Sequence, residues 1–509
     1  MKRQLALIPL LLIIAVACEG ATTQANSPAA TPPAANPPAS SPPPANPTPP
    51  TPQPTPPTPP TSSGDIFVLN KKLAKSVNFG NALEAPNEGD WGMRLEESFF
   101  QAVKDGGFTA IRLPIKWSNH AGQSAPYALE PVFLERVRWA VKQATDRGLA
   151  IIVDFHHYDE LMTAPAANVE RFLGIWKNVA AAFKDTPESV FFELHNEPNG
   201  AIEPLWNDYA ARALAVVRAS NPNRAVIVGP NGWNSAWRLP ELKLPADNKL
   251  IVTFHNYEPF TFTHQGAEWI NPVMPTGVTW PAPGATPRAG WANWSWNTAL
   301  GSASDTALSV TYQQGYAGLY LHSDTGADTG SGGYTTLRLQ TSRAVKLHIL
   351  CLEKNQQSGN PSGVNVETQA NVTLEVNLKD CGNPVTLHDL MIQSGSPDPQ
   401  AAFTLSTLEL TKSGGSLNLI GNARSAVADY LDFAAAWGKA NNRPIFMGEF
   451  GAYNKGDLDS RVRWTTAVRE DAEKRNMSWA YWEFGAGFGV YDRTKKAYIA
   501  PLLNALVPR

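Results

Sequence analysis

VFFELHNEPNG, residues 190–200, is the stretch on which the reading of the fold turns. Its first five residues are apolar at almost every position, which suits a strand in a sheet covered on both faces. Pro198 cannot donate to a ladder, so the strand ends before it, and Asn196 and Glu197 stand where strand becomes loop. In a barrel of parallel strands, that end of each strand is where chemistry is kept.

The same grammar recurs on both sides. FTAIRLPI, LAIIVDFHH, RAVIVGP and KLIVTFHNYEP are short apolar runs, separated by segments such as PVFLERVRWAVKQATDRG whose apolar residues fall at helical spacing. PIFMGEFG and MSWAYWEFG lie beyond residue 440, and an opening strand near Val77 to Ala82 brings the strands to eight. The pattern predicts an α/β fold, a (β/α)8 TIM barrel. Between the sixth and seventh runs, helical periodicity gives way to ALSVTY, GLYLHS, TTLRLQTS, AVKLHILCLE, NVTLEVNL and FTLSTLELT, with turn residues between them. These predict a β-sandwich inserted in the loop after strand six. The expected organisation is therefore barrel over 65–288, insert over 289–413 and barrel again over 414–509, with the insert on the catalytic side because it leaves from a strand-to-helix loop.

Residues 1–17 read as an export signal, with Lys2 and Arg3 ahead of an apolar stretch too short to span a bilayer comfortably. Ala15-Val16-Ala17 fits an ordinary cleavage site, while Cys18 resembles the lipid-accepting cysteine of bacterial lipoproteins. The expectation is an exported, cell-surface lipoprotein, with simple secretion as the alternative and membrane attachment only through that lipid. Residues 18–64 contain 17 of the 43 prolines and should form an extended tether. A net charge of −3 leaves no basic surface for nucleic acid, so the partner should be uncharged. Cys351 and Cys381 are expected to pair within the insert or to stay as two buried thiols; no further soft ligand lies near them to suggest a metal.

The strand ends supply the site candidates: Arg112, His156, His157, Asn196, Glu197, His255, Tyr257, Glu449 and Trp482. Two carboxylates dominate, Glu197 after strand four and Glu449 after strand seven. Across a barrel mouth they can face each other at the roughly 5 to 5.5 Å that retaining glycosidases use. The histidines lack the H-E-x-x-H spacing of a zinc helix, so neither metal nor cofactor is expected.

GNALEAPNEGDWG, AIRLPIKW, DFHHY, LHNEPNG, FHNYEPFTFTHQGAEW, IFMGEFGAY and SWAYWEFGAGFGVYD together resemble glycoside hydrolase family 5, and most of all its bacterial endo-β-1,4-glucanases, some of which also cut mannans. The resemblance implies a monomeric retaining endoglucanase acting on plant-type β-glucan by double displacement. Glu197 would be its acid/base and Glu449 its nucleophile. The residue chemistry agrees: Arg112 and Tyr257 can hold Glu449 ionised, and Asn196 is placed to meet the sugar 2-hydroxyl. The resemblance implies that His156, His157 and His255 bind hydroxyls or orient carboxylates, and Trp482 reads as a ring platform or as barrel-top packing. Asn81, Glu84, Pro114 after strand two, His264 and Trp269 match positions lining the glycone side. Glu193 and Glu483 match no family role and read as packing carboxylates, and His195 departs from many relatives. The insert resembles β-sandwich carbohydrate-binding modules, with Trp294 and Trp296 as sugar contacts and Tyr312, Tyr316 and Tyr320 extending an aromatic surface; a purely structural insert is the alternative. The competing function is a non-catalytic surface protein that only holds polysaccharide.

Overall fold

The computed structural model describes residues 65–354 and 363–508. The expected export signal, Cys18 and the expected tether over 18–64 lie outside the described residues. Eight parallel strands close a barrel: β1 (Lys75–Asn78), β2 (Ala110–Ile115), β3 (Ala150–Phe155), β4 (Val190–Glu193), β5 (Val226–Val228), β6 (Leu250–Asn256), β7 (Ile445–Phe450) and β8 (Ser478–Tyr481), with β8 returning to pair with β1. Every residue of β2 to β8 is buried. That is why their sequences read as continuous apolar runs rather than alternating ones.

The opening strand lies earlier than its sequence suggests. Phe79 still donates to Arg112 O, but Gly80 follows and Asn81 takes a left-handed φ of 63°, so the chain leaves the sheet before Ala82. Pro114 lies within β2 rather than after it, in register with Asp154.

Two packed sheets interrupt the barrel after β6. One holds six strands: Thr373–Asn377, Thr336–Thr341, Phe403–Lys412, Ala307–Tyr312 and Thr298–Ser304 in that order, with Gly415–Asn418 paired to Phe403–Lys412. The other runs Val364–Glu367, Lys346–Leu352, Thr386–Ser394, Gly318–Asp328 and Ala292–Asn293. Leu337, Leu339, Leu347, Ile349, Leu390, Ile392 and Leu408 fill the space between them. The hairpin closing with Gly415–Asn418 carries the sandwich past Ser413. At its base, Ala285–Pro287 pairs antiparallel with Ile420–Asn422, so both ends of the insert meet in one short stalk. Cys351 and Cys381 form a disulfide inside it.

The helix Ala423–Ala440 resumes the barrel. Asn422 and Ser425 cap it reciprocally, satisfying backbone N–H groups that have no partner within the helix. Its Tyr430 hydroxyl donates to His255 O at 3.0 Å and accepts from Ala236 N at 2.7 Å. The first helix after the insert thus fixes the end of β6.

Candidate active site

One guanidinium organises the barrel mouth. Arg112, fully buried on β2, grips Glu193 through Nε and Nη2 at 2.8 and 2.9 Å. Its Nη2 also donates to Asn196 Oδ1 at 2.8 Å and meets Asp154 Oδ2 at 3.1 Å, while Nη1 donates to Glu449 Oε1 at 2.7 Å and Asn78 Oδ1 at 3.1 Å. Burial alone would lower the pKa of Arg112, but Asp154, Glu193 and Glu449 hold it well above the usual value. Its charge is permanent.

A single cation cannot neutralise every acid around it. Burial pushes Glu197 up to about 7 against the pull of Arg112, with Glu193 adding repulsion. Burial likewise carries Asp154 to about 7, opposed by Arg112 and helped by Glu197. Glu193 and Glu449 are raised from their ordinary values by burial as well; Arg112 draws Glu193 back, and His255, Arg112 and a hydrogen bond from Tyr257 draw Glu449 back. Glu449 accepts from Arg112 on Oε1 and from the Tyr257 hydroxyl on Oε2 at 2.7 Å. Burial and the neighbouring Glu449 keep that phenol well above its usual pKa, so it stays a donor. Two donors favour the ionised form of Glu449.

Glu197 sits just past β4 with φ 49°, a conformation rare for a side chain-bearing residue and one that sites tolerate where geometry demands it. Its side chain is 26% exposed against 6% for Glu449. Glu197 therefore faces solvent, and Glu449 lies deeper. Oxygens of the two carboxyls lie within 4.8 Å of each other. His255 Nδ1 lies 2.7 Å from Glu197 Oε1, and Asn234 Nδ2 faces its Nε2 at 3.4 Å, placing the imidazole proton on Nδ1 toward the carboxyl. Burial pulls His255 down to about 4, so the ring is neutral near pH 7.

Glu197, His255 and Glu449 are the group of three among the described residues whose geometry could hold a metal ion. Their atoms are already matched to one another, and Glu449 is matched to Arg112 and Tyr257 besides. The donor set is that of an acid pair arranged around one cation.

The remaining expected residues form the walls. His156 Nδ1 lies 2.6 Å from Asp154 Oδ2, and its ring stacks on Trp482 at 5.6 Å and 8°. His157 stands edge-on to His156 and to Trp91, a half-exposed indole not anticipated from the sequence. His264 stacks on Phe260 at 4.1 Å and meets Tyr257 and Trp269 edge-on, while Trp269 is 55% exposed. Asn81 is half-buried on the first loop.

Glu84 is a correction. It is buried, and its carboxyl accepts the backbone N–H groups of Asn81 and Ala82. Burial pushes it up to about 8, with those donors working against the shift. It shapes the loop instead of meeting sugar. Pro114 shares the inward side of β2 with Arg112 and is buried in the wall. Glu483 accepts N–H groups from Gly485, Ala486 and Phe488, and so braces the loop after β8. His195 is buried, with Nδ1 on Phe155 O, away from Glu197.

Asp154 and Asn78 were not singled out from the sequence, although a charged residue inside the apolar run LAIIVDFHH is a usable signal. Trp233, 51% exposed on the loop after β5, has a backbone N–H directed at Pro198 O, and nothing in its local sequence marks it as part of the mouth.

The sequence pattern of the family described as cellulase (glycosyl hydrolase family 5) matches residues 74–312 and 411–487, together more than half of the chain. Endoglucanase H of Acetivibrio thermocellus is 39% identical over 202 residues, 40% of this chain and 22% of that protein. Endoglucanase 3 of Fibrobacter succinogenes is 23% identical over 448 residues, 84% of this chain and 51% of its own length. The chain thus spans about half or less of these relatives. Among solved structures, Thermotoga maritima Cel5A with mannotriose is 31% identical with a TM-score of 0.59, over 87% of this chain and all of that one. A hyperthermophilic endo-β-1,4-glucanase solved with its substrate gives the same identity, score and coverage.

Proposed function

Since this chain belongs to the cellulase family, glycosyl hydrolase family 5, we propose that it is an endo-acting β-1,4-glucanase that cleaves by double displacement with retention of configuration. The observation that carries this reading is the approach of the two carboxyls, with oxygens within 4.8 Å. Nearest oxygens this close suit a carboxyl pair roughly 5 to 5.5 Å apart, as in retaining enzymes, better than the roughly 6.5 to 9.5 Å that leaves room for an inverting water.

In the first step Glu449, held ionised by Arg112 and Tyr257, attacks the anomeric carbon. The bond to the leaving oxygen breaks, and that oxygen takes the proton from Glu197. In the glycosyl-enzyme Glu449 has lost its charge, so Glu197, now ionised, faces less repulsion. It accepts a proton from water as that water attacks the anomeric carbon and releases Glu449. His255 donates to Glu197 and so steadies its ionised form between the two steps. Asn196 has its Oδ1 committed to Arg112, which leaves its N–H groups to the sugar 2-hydroxyl. Trp482 offers a ring to the apolar face of a pyranose.

The mannotriose held by the Thermotoga enzyme favours β-mannan as a second substrate of the same cleft. A non-catalytic polysaccharide-holding protein has no need of an acid and a nucleophile separated in protonation, so the geometry disfavours it. The test is hydrolysis of carboxymethyl cellulose and of glucomannan, followed by viscosity and by reducing ends. Viscosity should fall well before reducing ends accumulate. Parallel curves would contradict endo cleavage, and no release from either polymer would contradict the activity.

A further inference from the structure

The two outer faces of the insert differ sharply. On the six-stranded sheet the outward positions of Thr336–Thr341 and Phe403–Lys412 are polar, and Arg338 bridges Glu409 at 2.7 Å and Glu375 at 3.2 Å across three strands. This is the pattern of a sheet face built to meet water. On the five-stranded sheet, the outward positions of Lys346–Leu352 and Thr386–Ser394 carry Leu350 and Met391. They cluster with Trp296 and Tyr320, apart from the core between the sheets. A cavity of about 340 Å³ opens there, lined by Trp296, Tyr320, His348, Leu350, Met391 and Gln393. We propose that this face is a second binding site for an uncharged β-linked glucan chain, separate from the barrel mouth.

The aromatic wall is fixed in place. Trp296 exchanges backbone hydrogen bonds with Gly318 in both directions, and its indole N–H donates to Tyr316 O at 3.1 Å. Its ring lies directly over Gly318, where a Cβ would come within 2.2 Å of it, so only glycine lets the ring rest on the sheet. Tyr320 is pinned by its hydroxyl, which donates to Asp389 at 2.8 Å, and Trp294 beside it stacks on His322 at 3.8 Å and 9°. Rings held this firmly lose little freedom when a ligand arrives.

The chemistry of the lining selects the occupant. None of its six residues is an acid, a lysine or an arginine, so phosphate, sulfate and acidic lipid find no countercharge. Flat rings suit the C–H faces of equatorially substituted pyranoses, while Gln393 and His348 supply donors and acceptors for hydroxyls at the rim. The cavity lies at the small end of the range for ligand sites, as fits one or two sugar units of a longer chain. Tyr312, expected on this surface, is buried with its hydroxyl on Ile392 O, and only Tyr316 and Tyr320 of the three tyrosines face outward. A site tied through the stalk to the segment after β6 would raise the local concentration of chain at the mouth.

The choice of a β-glucan rests on the function proposed above, so the test separates the two. The full chain carrying Glu449→Gln is footprinted with hydroxyl radicals, with and without cellohexaose, and its binding to amorphous cellulose is measured with and without Trp296→Ala. Hydrolysis of carboxymethyl cellulose by the unaltered chain is followed in parallel. Protection of Trp296, Tyr320 and Met391, with roughly tenfold weaker binding in the Trp296 variant, is the expected result. The footprint needs no folded Trp296 variant. Absence of protection overturns the inference, whether the face serves another partner or none, even if the unaltered chain hydrolyses the polymer. Protection without hydrolysis by the unaltered chain would uphold the second site and overturn the proposed activity.

Discussion

The barrel mouth and the outer face of the insert's five-stranded sheet both combine aromatic rings with hydrogen-bonding groups, yet they handle charge in opposite ways. The mouth gathers Asp154, Glu193, Glu197 and Glu449 around Arg112, and burial, with the repulsion between the acids adding to it, raises carboxyls such as Glu197 to about 7. The insert's cavity has no fixed charge at all. Chemistry on a glycosidic bond needs an acid and a base at one place, whereas holding a neutral chain needs only shape and hydroxyl partners.

Changes that strike the charge balance should therefore be severe at the mouth. Glu449→Gln removes the nucleophile and should abolish turnover of polysaccharide and activated aryl glycosides alike, a loss on the order of 10⁴ or more in kcat. Glu197→Gln should lose roughly 10² to 10⁴ on polysaccharide but keep much of the first step on aryl glycosides whose leaving group needs no proton. Equal defects on both substrate types would break the division of labour. Arg112→Lys keeps the charge but loses the fork that grips Glu193, Asn196 and Glu449 together, and kcat/KM should drop by roughly 10² to 10³. A near-normal rate would mean that charge alone suffices.

The pH profile sharpens the same contrast. Glu197 must hold its proton when the first step begins, so kcat/KM should decline as pH rises through about 7. The acid limb belongs to Glu449, which must lose its proton. Because His255 donates to the Glu197 carboxyl, His255→Phe removes a partner of the ionised form, and the alkaline limb should move to higher pH. An unmoved limb would remove His255 from that role. The smallest effect on chemistry is expected in the insert. Replacing Cys351 and Cys381 by Ser opens a loop of sequence separation 30 and should cost the sandwich about 3.6 kcal/mol, seen as an earlier melting transition. Turnover of short oligosaccharides should stay unchanged; an equal loss there would show that the sandwich props the barrel.

The mouth was far more legible in the sequence than the insert face. Fully buried parallel strands announce themselves as apolar runs, and the charged and polar residues set within or just after them, such as Arg112, Glu197 and Glu449, stand out against that background. Glu84 misled because a carboxyl on a site loop looks like a ligand until the loop's own N–H groups are seen to consume it. Asp154 stayed hidden behind His156, the neighbour it supports. In the insert, the strand Thr386–Ser394 escaped notice because Met391 faces outward and Leu390 and Ile392 face in, so alternation disappears. That loss of alternation is itself the trace of the second face. Tyr312 shows the limit of spacing arguments, since an aromatic at the right interval can serve either side of a sheet.

The central claim is that Glu449 attacks the sugar while Glu197 carries the proton. It is tested most directly by incubating the enzyme with a 2-deoxy-2-fluoro β-cellobioside bearing an activated leaving group, digesting the trapped protein, and locating the sugar by peptide mass spectrometry. The fluorine slows both steps and the leaving group restores the first, so the glycosyl-enzyme should accumulate. A label on Glu449, with release of the β-anomer when the enzyme is reactivated, is the expected result. A label on Glu197, or inversion of the released sugar with no label anywhere, would contradict the assignment.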